Sequence, residues 1–195
     1  MKLKLLSTIA CLFVAFFFYF NIEAGAAIIE TKTVEEVAAE NIQLQAIADE
    51  VGPGNFQGLS NWLSSHIKYK EDRTAADEWK EPHTTLKDGT GDCEDYAILA
   101  LEVLKRMGVQ DVFLLGVSRK SRSLGHVVAF FRVSKDQKWQ YYDFEKLKMG
   151  TQTFEDLKYA VARECRYGSN IEYQLADRDR KNLPPVDEAK WGLDK

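Results

Sequence analysis

Apolar positions recur at helical spacing along four stretches of this chain. From about Thr33 to Glu50 the apolar or small residues are Val34, Val37, Ala38, Ile42, Ile47 and Ala48, and Gly52-Pro53-Gly54 ends the segment. Leu59, Trp62, Leu63 and Ile67 form the stripe of a second helix from Phe56 to Ile67. A third and stronger helix runs from Cys93 to about Met107, with Tyr96, Ala97, Ala100, Val103, Leu104 and Met107 as its core face. Glu102, Lys105 and Arg106 are expected in water, and Gly108 takes the left-handed position that ends the helix. Phe154 to Val161 reads as the fourth.

Between the third and fourth helices the pattern changes to strands. Val112 to Val117 is short, apolar and buried; His126 to Val133 and Lys138 to Phe144 follow, joined by a polar turn around Lys135-Asp136. Ile171 to Leu175 reads as an edge strand. The polar stretch from Lys68 to Gly91 holds Trp79 and Pro82 and reads as a long surface loop of the sort that borders a site. Trp79 either walls a cleft or packs that loop onto the core. Helices first and strands afterwards indicate an α+β fold rather than a doubly wound parallel sheet.

The N-terminus changes the domain picture. Met1-Lys2-Leu3-Lys4, an apolar run from Leu5 to Phe20 and Glu23-Ala24-Gly25-Ala26 are the three parts of a secretory signal. The run falls short of the ~20 residues of a comfortable membrane span. Residues 1–26 are therefore expected to direct export, to the periplasm or outside the cell, with cleavage after Ala26. Membrane contact is expected only if that segment stays uncleaved. Residues 27–176 form one domain, and 177–195 a charged tail broken by Pro184-Pro185. A formal net charge of -4 gives nucleic acid no support as a partner. Cys93 and Cys165 remain after cleavage; Cys93 lies among charged residues at a helix start, where a disulfide is not expected. No Cys-x-x-Cys or His-x-x-x-His spacing points to zinc.

Candidate chemistry centres on Gly91-Asp92-Cys93-Glu94-Asp95. Asp92 is placed as an N-cap, with Asp95 at capping-box spacing. Cys93 then stands where unpaired backbone N–H groups favour a thiolate and an oxyanion. Three neighbouring carboxylates work the other way and raise the thiol pKa. A helix dipole contributes only about 0.3–1 kcal/mol, too little to cancel them. The motif therefore demands a nearby cation, an imidazolium or a metal ion. Of the three histidines, His126 is best placed, opening a strand after Gly125, a residue that permits close backbone approach. His66 reads as a packing or surface residue and His83 as a loop residue.

The hairpin register tests Asp143 as the partner of His126. If Ser134 and Gln137 close the turn, Val128 lies opposite Asp143 and His126 opposite Glu145. His126 and Asp143 are then diagonal neighbours on one face, roughly 7–8 Å apart along the backbone. A slip of one residue would separate them. Glu145, directly across, is the competing orienter.

The run Asp77-x-Trp79-x-x-Pro82-x-x-Thr85-Leu86-x-x-Gly89-x-Gly91-Asp92-Cys93-Glu94-Asp95-Tyr96-Ala97-Ile98 resembles the bacterial transglutaminase-like cysteine proteinases, part of the wider transglutaminase-like, papain-related superfamily. The match continues through Gly108 and the His126 and Asp143 strands. The resemblance implies Cys93 as nucleophile, His126 as general base and acid, and Asp143 as its orienter. It also implies a Cys-bearing helix packed on an antiparallel sheet that carries the other two. Periplasmic members of that family cleave surface adhesins in biofilm release and depend on calcium. Their metal ligands map onto Asp92, Glu94 and Asp95, and no cofactor is needed for the bond-breaking itself. Asp143 is followed by Phe144 where those proteases usually have Asn. The expected activity is peptide hydrolysis on a protein substrate. Two alternatives are acyl transfer to an amine, cross-linking protein glutamines, and a non-catalytic peptide-binding module of the same fold.

Overall fold

The computed structural model describes residues 33–71, 79–119, 125–151, 153–167 and 171–176. The expected signal, 1–26, and the tail, 177–195, lie outside the described residues. Backbone contacts separate Met1–Val37 from Ala38–Lys195, and the fold below is that of the second unit. Among the described residues no helix is long and apolar enough to cross a membrane.

Five antiparallel strands form the central sheet: β3 (Asp111–Arg119), β4 (Gly125–Arg132), β5 (Gln140–Asp143), β6 (Lys146–Met149) and β7 (Ile171–Ala176). Their spatial order is β6-β5-β4-β3-β7, so the segment expected at an edge does lie at one. Alternation along the strands serves two cores. Val112 and Leu114 of β3, Val127, Ala129 and Phe131 of β4 and Tyr142 of β5 pack with helices α1 (Val34–Val51), α2 (Phe56–His66) and α4 (Cys93–Arg106). Leu115, Val117, Val128, Phe130 and Tyr141 pack instead with Phe154, Leu157 and Val161 of α5 (Phe154–Glu164). β4 is covered on both faces, which is why Val127 to Phe131 reads as an unbroken apolar run.

Helix α4 is buried all round, from Glu94 to Leu104. Gly108, at φ 88, closes it as expected. Glu102 corrects the reading that placed it in water: it is 2 % exposed. Arg106 Nη1 donates to its Oε2 at 2.8 Å, while Lys105 Nζ lies 3.4 Å from its Oε1. Arg106 also reaches Asn41 of α1, while Lys105 stays exposed as expected. Burial follows from this pairing, which helical spacing alone does not report.

The stretch expected to be a loop is more ordered than its polarity suggests. β1 (Lys68–Tyr69) pairs in parallel with β2 (Thr90–Gly91), and between them lies α3 (Pro82–Asp88). A proline in its first turn starts α3 and Gly89, at φ 62, stops it. His83, expected in a loop, lies on this helix with Nδ1 3.1 Å from the buried Glu40 of α1. Trp79 packs against the core cluster. His66 is exposed and stacks on Trp62 at 4.1 Å.

The β4–β5 register agrees with the hairpin reading. Ala129 pairs with Tyr142, Phe130 with Tyr141 and Phe131 with Gln140, and Gln137 N–H donates to the Ser134 carbonyl at 3.1 Å. One more step along the same register sets Val128 against Asp143. Beyond Asp143 the chain turns through Phe144-Glu145 into β6, where Asp143 pairs with Lys146. Helix α2 pins this turn twice: Ser60 Oγ donates to the Glu145 carbonyl and Tyr142 Oη to the Phe56 carbonyl, each at 2.6 Å.

Candidate active site

Cys93 is the first residue of α4, half-buried and free, and it packs against the α1/α2/α4 side of the sheet. Cys165 is also free and packs against the α5 side. The sheet lies between the two clusters, and neither thiol is in a disulfide.

Asp92 occupies the N-cap position with extended backbone, but its side chain makes no capping bond. Its carboxyl group acts on Glu94 instead, raising that side chain's pKa through hydrogen bonding and charge. Two carboxyl groups can share a hydrogen bond only if one of them keeps a proton. Glu94 is 2 % exposed and is pushed up to about 8, chiefly by burial, then by the bond to Asp92 and the charge there; its bond with Cys93 and a backbone amide pull the other way. Asp95 does not complete a capping box either. Lys80 holds it from both sides, with the backbone N–H donating to Oδ1 and Nζ to Oδ2, each at 2.8 Å. Gly91 makes room for that side chain, since a Cβ there would lie 2.5 Å from Asp95 Cβ.

The Cys93 thiol donates to Glu94 Oε2 at 3.1 Å. Burial raises its pKa far above the ordinary value, and the Glu94 bond and charge add to that. One effect opposes them, the hydrogen-bonding influence of the Val127 backbone, which lowers it. Cys93 thus packs against the cluster that contains Val127, next to His126 in sequence.

His126 Nε2 lies 2.8 Å from Asp143 Oδ1, with the two side chains 12 % and 17 % exposed. A carboxylate acceptor assigns the proton to Nε2, leaving Nδ1 as the basic nitrogen. Burial alone would raise Asp143. The hydrogen bond and charge of His126, with Lys148 and Lys146 behind them, outweigh burial and hold its carboxyl below the usual range. The competing orienter Glu145 points its backbone carbonyl to Ser60, and it is Asp143 that bonds the imidazole. The structure therefore joins His126 to Asp143 and packs Cys93 against the cluster that contains Val127, while the resting thiol bonds Glu94 rather than the imidazole.

The carboxylates that the resemblance assigns to calcium are placed separately: Asp95 holds Lys80, while Glu94 accepts from the Cys93 thiol at Oε2 and keeps Oε1 buried with no hydrogen-bond partner. Calcium takes 6–8 oxygen ligands. Among the described residues no group of three His, Cys, Asp or Glu side chains could hold a metal ion. The three side chains are not gathered around one point, and calcium at Asp92, Glu94 and Asp95 stays an expectation of the resemblance.

Sequence reasoning missed three contributors to this corner: Lys80, the Val127 backbone and the Phe144 ring. Lys80 comes 15 residues before its partner with no spacing signal. The Val127 backbone and the ring become visible only once the strand register is fixed.

A cysteine at the tip of a buried helix, set against an antiparallel sheet with a histidine–carboxylate pair on adjoining strands, defines the transglutaminase-like class of fold. The sequence profile described as "Transglutaminase-like domain" matches residues 54–163, more than half of the chain, and the chain belongs to that family. No curated protein matches it at a significant level. Among solved structures it is similar to Legionella pneumophila LapG, at 18% identity and TM-score 0.46, covering 78% of this chain and 92% of that one. The calcium-bound form of the same protein gives 17% identity and TM-score 0.43, with 77% and 94% covered. A protein titled simply a TGase gives 11% and 0.44, with 66% and 37% covered. At these scores the likenesses carry no argument, and the family rests on the profile match alone.

Proposed function

We propose that this chain is an exported cysteine peptidase that cleaves amide bonds of a protein substrate through Cys93, His126 and Asp143. The observation that carries the reading is the His126–Asp143 hydrogen bond at 2.8 Å, beginning at a residue next to Val127, against whose cluster Cys93 packs. Nδ1 of His126 is the base that takes the thiol proton. The thiolate attacks an amide carbonyl, and the backbone N–H groups at the start of α4 receive the developing oxyanion. Imidazolium then protonates the departing amine. Water, activated by the same imidazole, hydrolyses the thioester and returns the thiol. The first step requires the sulfur to leave Glu94 and present its proton to Nδ1.

Protein as the substrate class, a surface adhesin as the candidate member, and export are parts of the proposal that rest on the motif around Cys93 and on the N-terminal segment. One observation favours a second reading, a non-catalytic peptide-binding module: burial and Glu94 hold the resting thiol protonated.

One experiment decides between them. Iodoacetamide labelling of Cys93 and Cys165 is followed by mass spectrometry across pH, with calcium and with chelator. Catalysis predicts selective labelling of Cys93 near neutral pH, lowered at least tenfold in His126→Ala. Slow labelling of both thiols with the same pH dependence would leave the binding module as the better account. A Cys93 rate unchanged by chelator is expected from the separate placement of the three carboxylates.

A further inference from the structure

Phe144 has two features that belong together. Its backbone is left-handed, at φ 54, in the first position of the Phe144-Glu145 connection. That conformation disfavours any bulky side chain, and a glycine or asparagine would adopt it with less strain. Its ring nevertheless sits at the centre of an aromatic group. It lies 5.2 Å from the His126 ring, 5.3 Å edge-on to Tyr69 and 5.9 Å edge-on to Tyr96. Tyr96 is fixed in turn, its hydroxyl donating to the Ile67 carbonyl at 2.6 Å. Helix α2 holds the turn from below through Ser60 and the Glu145 carbonyl.

We infer that Phe144 is a positioning residue, whose ring is held by a strained turn against the His126 imidazole to fix its orientation and shield the His126–Asp143 hydrogen bond from water. The inference rests on the proposed peptidase reading for its purpose, though the geometry is independent of it. A hydrogen bond kept from water is stronger and exchanges its proton more slowly. The residue makes no contact with a reacting atom; it acts through the imidazole. Only a turn that forces the side chain back over Asp143 and His126 delivers a ring to this place, which accounts for an aromatic residue at a backbone conformation that does not suit it.

The test separates ring from backbone. Phe144→Asn and Phe144→Gly keep the left-handed turn and remove the ring; Phe144→Tyr keeps both. The first readout is the exchange rate of the His126 Nε2 proton, observed by NMR on histidine-labelled protein. The second is the Cys93 alkylation rate, and the third is the melting temperature, which shows that each variant is folded. In wild type and Phe144→Tyr the Nε2 proton is expected to exchange slowly. In Phe144→Asn and Phe144→Gly it is expected to exchange at least tenfold faster, with Cys93 alkylation slowed several-fold in folded protein. Wild-type exchange in both ringless variants overturns the inference. If one of them fails to fold, the other carries the comparison; if neither folds, the ring serves packing and the inference is overturned. Fast exchange in the ringless variants, with Cys93 no more reactive than Cys165 in wild type, supports the shielding and removes the peptidase reading instead.

Discussion

A hydrogen is the largest group that position 91 accepts. The Asp95 side chain passes so close that a Cβ on Gly91 would meet Asp95 Cβ at 2.5 Å and Oδ2 at 2.9 Å. Asp95 cannot give way cheaply, because both its oxygens hold Lys80 and the carboxylate is 1 % exposed as a residue. Gly91→Ala is therefore expected to cost about 1–3 kcal/mol, as overpacking of a fixed site does. Urea denaturation measures this, and wild-type stability in the variant would show that Asp95 is not held where it is described. The glycine and both acidic residues were readable in sequence as the start of a helix. Their duties were not. Capping chemistry predicts that Asp92 and Asp95 turn toward the helix's own backbone N–H groups, yet the Asp92 side chain makes no capping bond and Asp95 instead takes the backbone N–H and ammonium of Lys80, 15 residues earlier. A charged partner outcompetes a solvated amide in a buried corner, and spacing along one helix carries no record of it.

Between elements, the join that matters is α2 against the β5–β6 turn. Ser60 and Tyr142 tie the hairpin that carries Asp143 to the helix, each by one bond of 2.6 Å. Ser60→Ala and Tyr142→Phe are each expected to lower stability by about 1 kcal/mol, the usual net worth of such a bond. Ser60→Ala should also slow Cys93 alkylation, because the turn it frees is next to Asp143. A stability loss in Ser60→Ala with an unchanged labelling rate would mean that the turn keeps its place without helix α2. The β4–β5 register, which decides whether His126 and Asp143 meet, was readable in advance. Closure of the polar turn by Ser134 and Gln137 sets the register, and it pairs Ala129 with Tyr142 as the structure does. β6 escaped notice because Lys146-Leu147-Lys148-Met149 is an edge strand with little buried face. Helix α3 escaped because seven residues, with a proline and two threonines, show no periodicity.

At the scale of the whole molecule, the two acidic sites set opposite limits on stability. Asp143 is held below its ordinary value of 3.8 once folded, by His126 and the lysines against the effect of burial. Its contribution is present above that value and is lost as pH falls through the folded pKa. Glu94 behaves the other way. Burial first, and Asp92 second, raise it from the ordinary 4.5 to about 8. The folded protein then holds one proton more than the unfolded chain between these values, so stability falls as pH rises across that window, by at most about 1.4 kcal/mol per pH unit. Together the limits place the stability maximum on the acid side of neutrality, near the point where Asp143 is fully ionised and Glu94 still protonated in both states. Urea denaturation from pH 3 to 9 should show a decline from about pH 5 to 8 in wild type. Glu94→Gln should flatten that decline and leave the acid limb; Asp143→Asn should remove part of the acid limb and leave the decline. If wild-type stability is level from pH 5 to 8, Glu94 is ionised in the folded protein. The thiol would then face a carboxylate instead of a neutral acid, and the description of the resting site would have to change with it.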